Sequence, residues 1–142
     1  KSGGVMAAPG WAPRPPGKDT AQVYLGSDAL GAGLRAALVG ALRARGWQHV
    51  TDLTPAGEGR GGTPPAYFEA AQAVAERVAL AGARGRGVLV CGTGAGVCLV
   101  ANKSPNVRAV AAENVAAARN ARSINDANVV CLGELITGFE DA

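Results

Sequence analysis

A chain of 142 residues holds one compact domain and one core. Charged residues are 18% of the total and apolar residues 48%, which excludes wholesale disorder. The net charge of +3 is dispersed, with no run of five basic residues, so nothing points clearly to nucleic acid. Three cysteines, Cys91, Cys98 and Cys131, form neither a CxxC pair nor an even set. That argues against a disulfide framework and a zinc site, and for a reducing compartment, either cytoplasm or an organellar interior. No apolar run approaches the roughly 20 residues of a membrane span.

Residues 1–20, KSGGVMAAPGWAPRPPGKDT, are rich in Pro and Gly and read as a flexible leader, with Trp11 free to dock on a neighbouring surface. Residues 21–142 read as the folded domain. AQVYLG is a short apolar strand ending in glycine. Leu30, Leu34, Leu38, Ala41 and Leu42 follow at helical spacing, and Gly46 stops them. WQHVTDL is a second strand. TPAGEGRGGTPP is a loop with four glycines and three prolines. Pro64 or Pro65 opens the next helix, whose Phe68, Ala71, Ala75 and Val78 share a face. GVLVCG, Gly87 to Gly92, is a continuous apolar strand, followed by a glycine turn and a short helix to Lys103. VRAVAA is a fourth strand, NVAAARNARS a fourth helix and NVVCLG a fifth strand. GFEDA resembles the first turn of a further helix. Strands alternating with helices, several apolar on both faces, predict a three-layer, Rossmann-like α/β domain around a five-stranded parallel sheet.

The sharpest chemical signal is VCGTGAGVCLVANK, Val90 to Lys103. A buried strand runs into Gly92, Thr93, Gly94, Ala95 and Gly96 as a helix begins. Glycines let backbone amides face a ligand, and a helix N-terminus adds about half a positive charge. A phosphate, a carboxylate or an enediolate suits such a turn. As a dinucleotide fingerprint it is imperfect, although Glu113 lies about 20 residues on, where a ribose-binding acid belongs. A glycine turn needed only for packing is the bland alternative. Cys91, directly before the glycines, is expected to have a lowered pKa and to serve as base toward a carbon acid. The bland alternative there is a buried structural cysteine, the role assigned to Cys98 and Cys131. LGSDALGAG is a second strand-to-helix turn, in which Asp28 either grips sugar hydroxyls or caps the helix.

In this order, GSD, CGTGAGVCLVANK, NVRAV and INDANVVCLG resemble the type B ribose-5-phosphate isomerases, whose family includes the galactose-6-phosphate isomerase subunits. The resemblance covers about residues 21–138. It implies an aldose–ketose isomerisation through an enediolate, without metal or nucleotide. It implies Cys91 as the proton-transferring base, because Val97 stands where some members carry a glutamate. Gly92, Thr93, Gly94 and Gly96 match the anion-holding loop, Asp28 and Asn125 the sugar contacts, and Arg108 a phosphate contact. Sites of this family are shared between two chains, which implies a homo- or hetero-oligomer. The departures are Ile124, where the family reads histidine in HNDANV, and Ala29, where a histidine follows the first aspartate. The replaced histidine at 124 is the one thought to open the sugar ring. The chain also stops before the family's C-terminal arginines. Losing one general acid–base group costs about 10²–10⁴-fold in rate, so impaired catalysis is the expectation. Its alternatives are a binding or structural subunit of a larger assembly, or the Cys91-bearing subunit of a mixed enzyme.

Overall fold

The computed structural model describes residues 15–54 and 62–142. Five strands, β1 (Gln22–Ser27), β2 (His49–Asp52), β3 (Gly85–Cys91), β4 (Ala109–Ala111) and β5 (Val129–Gly133), pair in the order β2-β1-β3-β5-β4, all parallel. The four connections carry α1 (Ala32–Ala44), α2 (Tyr67–Ala81), α3 (Ala95–Ala101) and α4 (Val115–Asn125). The α/β fold with a five-stranded parallel sheet is therefore as the sequence predicts. The leader's first 14 residues, with Trp11, and residues 55–61 of the long loop lie outside the described residues. Gly17 to Thr20 close a turn, and Lys18 bonds through Nζ to the Arg45 carbonyl at 2.9 Å.

Side chains alternate across the sheet because a strand has a period of two. Leu89, Cys91, Val129 and Cys131 face α2 and α3, where Val74, Val78 and Val97 meet them. Leu25, Val90 and Leu132 face the other way, toward Leu34, Leu38 and Val39 of α1. Helix α2 lies close because Gly26 and Gly87 have no side chain: a Cβ on either would come within 2.9 Å of Val74. On the other face α1 and α4 leave between them an apolar groove of about 370 Å³, floored by Val23, Val88 and Val130.

Three local expectations give way. Leu30 sits in a 3₁₀ turn (Ala29–Gly31) ahead of α1 and is exposed, because Asp28 accepts the Gly31 N–H and delays the helix. Phe68 is exposed too. The buried stripe of α2 is Ala70, Ala71, Val74, Ala75 and Val78, while Phe68 packs edge-on against Tyr67. Helix α4 runs two residues beyond Ser123, so Asn125 belongs to the helix and not to the entry into β5. It ends where Asp126 adopts φ +51°, with its N–H on the Ala121 carbonyl. Among the described residues, no helix is long and apolar enough to cross a membrane.

Candidate active site

In an open parallel sheet, ligands bind beyond the C-terminal strand ends, where neighbouring connections leave in opposite directions. Here that point lies between β1 and β3. The chain goes from β1 outward to β2 on one side, and from β3 past β5 to β4 on the other. Ser27, the last residue of β1, pairs with Val90, so Asp28 follows β1 alongside Cys91, the last residue of β3.

Cys91 is the last residue of β3 and is 5% exposed. Its Sγ accepts the Gly94 N–H at 3.1 Å. The turn above it is built on absent side chains. Gly94 has φ +81°, and a Cβ there would meet the Leu132 carbonyl carbon at 3.0 Å. A Cβ on Gly96 would strike the Tyr67 ring at 2.9 Å, and one on Gly92 would press on Leu30 at 3.3 Å. Thr93 is exposed and its Oγ1 accepts the Ala95 N–H at 3.3 Å, opening α3. Asp28 does cap, accepting the Gly31 N–H through Oδ1 at 3.0 Å. Its carboxylate keeps a second oxygen and stays half-exposed at the rim.

Two contributors escape a linear reading. Arg35 of α1 is 3% exposed, gives Nη1 to Ser27 Oγ at 2.6 Å, and pairs through Nε with Asp52 at 3.2 Å. Thr54 closes the cluster, giving its N–H to Asp52 at 3.1 Å and accepting that of Ser27 at 2.9 Å. This ties the ends of β1 and β2 together beneath Asp28. The signal was available: Arg35 interrupts the Leu34, Leu38, Val39 stripe on the buried side of α1. Tyr67, whose ring covers the start of α3, has only its place at the head of α2 to announce it.

Behind the turn, Cys131 stays protonated. Its hydrogen bond to Cys98, then burial, push the thiol above its usual range. Cys98 receives that bond and is drawn down to about 6, although its sulfur also lies 3.5 Å from the Ala109 carbonyl, a contact suited to the protonated thiol. A pocket of about 250 Å³ adjoins the turn over β4 and β5, with Thr93, Glu113, Asn114 and Thr137 in its wall. It takes in neither Asp28 nor Cys91.

Arg108 and Asn125 are elsewhere. Gly87 pairs with Val129 and Cys91 with Gly133, so four residues of strand, about 13 Å, separate Cys91 from the start of β5. Asn125 precedes that start, and Arg108 precedes β4 at the same edge. Arg108 gives Nε to the Asp126 carbonyl at 2.7 Å and pairs with its carboxylate at 3.2 Å. Arg122 pairs with that carboxylate at 2.9 Å. Within one chain, then, Asp28, Cys91, Gly92, Thr93, Gly94 and Gly96 stand together, and Arg108 and Asn125 form a second group at the opposite rim.

A parallel five-stranded α/β domain with a cysteine-led glycine turn at its switch point defines a class of small-molecule enzymes. The family profile Ribose/Galactose Isomerase matches residues 23–142. This chain belongs to that family. It is 37% identical over 112 residues to the 4-deoxy-4-sulfo-D-erythrose isomerase of Clostridium sp. (strain MSTE9), covering 79% of this chain and 67% of that one. It is 35% identical over 119 residues to D-erythrulose-4-phosphate isomerase 2 of Mycolicibacterium smegmatis, covering 84% and 76%. Ribose-5-phosphate isomerase B of Mycoplasma genitalium, solved with bound ribulose-5-phosphate, superposes with a TM-score of 0.78 at 29% identity, covering 87% of this chain and 78% of that one.

Proposed function

We propose that this chain is an aldose–ketose isomerase for sugar phosphates or their sulfonate counterparts, with Cys91 moving the carbon-bound proton. One observation carries the reading: the Cys91 sulfur, accepting a backbone N–H at 3.1 Å, ends its strand beside Asp28 under a glycine turn. In the aldose-to-ketose direction the thiolate takes the C2 proton. The C–H electron pair becomes the C1=C2 bond, and charge moves to O1. Backbone amides of Gly92, Thr93 and Gly96 suit that enediolate oxygen or the terminal anion, while the Gly94 N–H holds the Cys91 sulfur. The proton on sulfur then goes to C1, O1 is protonated and O2 loses its proton, leaving the ketone at C2. Asp28 holds hydroxyls with its free oxygen.

Arg108 and Asn125 serve the site of a second copy. They are too far from their own Cys91 to share one substrate with it, and a two-fold dimer brings one rim of each chain to the other rim of its partner. The isomerase reading is supported by the family match and by relatives named for erythrulose 4-phosphate and sulfoerythrose. The impairment expected from Ala29 and Ile124 narrows to one step: neither side chain carries a proton, so ring opening is what this site lacks.

Mixing tests the arrangement. Cys91→Ala and Asn125→Ala chains are each inactive alone on erythrulose 4-phosphate. After mixing they recover about a quarter of wild-type activity, because half the dimers are mixed and each holds one whole site of two. Recovery of none, with mixed dimers shown to form, rejects the shared site. Full activity in Cys91→Ala rejects the mechanism.

A further inference from the structure

Resting on the isomerase reading above, we propose that Ile124 makes this a site for sugars that cannot form a ring: four-carbon aldoses and ketoses bearing their phosphate or sulfonate on C4. Five- and six-carbon aldose phosphates exist almost wholly as rings. Opening one moves a proton from the C1 hydroxyl to the ring oxygen, which calls for a side chain that gives and takes protons near neutrality. Among the described residues placed in the composite site, none is to spare. Cys91 is committed to the carbon proton. Arg108 stays charged and Asn125 does not titrate. Asp126 is held by two arginines, and Asp28 has one oxygen in its cap. The chain's single histidine, His49, is on β2, three strands away from β5 in the sheet, with Nε2 3.1 Å from the Asp19 carbonyl. Next to Asn125, where an imidazole would reach the partner's substrate, α4 presents Ile124, an aliphatic side chain 73% exposed to solvent.

A four-carbon sugar removes the need. With phosphate on O4 the hydroxyl that would close a furanose is esterified, and with sulfonate on C4 it is gone. The substrate arrives open, its carbonyl ready for enolisation, and no group is missing from the site. An exposed isoleucine also has no polar group to lose when the substrate covers it.

The test is isomerisation of D-erythrulose 4-phosphate and D-ribose 5-phosphate by wild-type and Ile124→His full-length chains, followed by proton NMR over a range of enzyme concentrations. In wild type the erythrulose rate is expected to stay proportional to enzyme, while the ribose rate flattens as spontaneous ring opening becomes limiting. Ile124→His restores proportionality on ribose 5-phosphate and shifts kcat/KM toward it by about 10²-fold or more. A wild-type ribose rate that stays proportional to enzyme overturns this inference and leaves the isomerase reading standing. So does a substitution that moves both sugars equally, with the melting temperature unchanged. Turnover of neither sugar by wild type rejects the isomerase reading, and this inference with it.

Discussion

The C-terminal rim of the sheet is backbone: Gly94 and Gly133 let main chain approach main chain, Gly92 and Gly96 make room for the Leu30 and Tyr67 side chains, and Cys91 is sealed beneath them. The N-terminal rim is side chain, with Arg108, Arg122 and Asp126 paired in the open and Ile124 bare beside them. A rim of amides held by close packing is preorganised and suits developing charge. A rim of long, solvated side chains adapts to whatever docks on it. Under the proposed function, the contrast assigns chemistry to the first rim and its completion, in another copy, to the second.

Changes at the two rims are therefore expected to differ in kind. The largest effect is Cys91→Ala, which lowers kcat on erythrulose 4-phosphate by about 10²–10⁴-fold with a melting temperature near wild type. Survival of most activity would place the base elsewhere. Beneath the same rim, Asp52→Ala leaves the Arg35 guanidinium buried without its partner. Unfolding in urea is expected to register a loss of about 3–5 kcal/mol, and a loss under 1 kcal/mol would mean water reaches Arg35. Gly94→Ala forces a side chain into the left-handed region against β5 and is expected to cost about 1–3 kcal/mol, with kcat falling as the turn shifts. Smallest is Asp126→Ala at the other rim. Its ion pairs are exposed, so stability changes by less than about 1 kcal/mol, while KM rises because Arg108 loses its orientation. A fall in kcat with KM unchanged would contradict the binding role given to that rim.

The strands, their helices and the glycine turn were legible because each is written locally, in periods of 2 and 3.6 and in glycines that few other residues can replace. Helix boundaries were less so. Asp126 ends α4 two residues past Ser123 through a left-handed cap that lies outside any apolar pattern, and Asp28 delays α1 by capping a 3₁₀ turn. Phe68 misled because hydrophobicity marks a residue apt to be buried and says nothing of where the helix begins to touch the sheet.

By itself the sequence determined a parallel α/β domain, the place of Cys91 before its turn, and an aliphatic side chain at Ile124. Each of those follows from residue type and neighbours along the chain. Only the tertiary structure decided that Asn125 and Arg108 stand a strand's length from Cys91, and that Arg35 is sealed under Asp28. Strand order and register set those separations, and they arise from contacts between segments far apart in the chain.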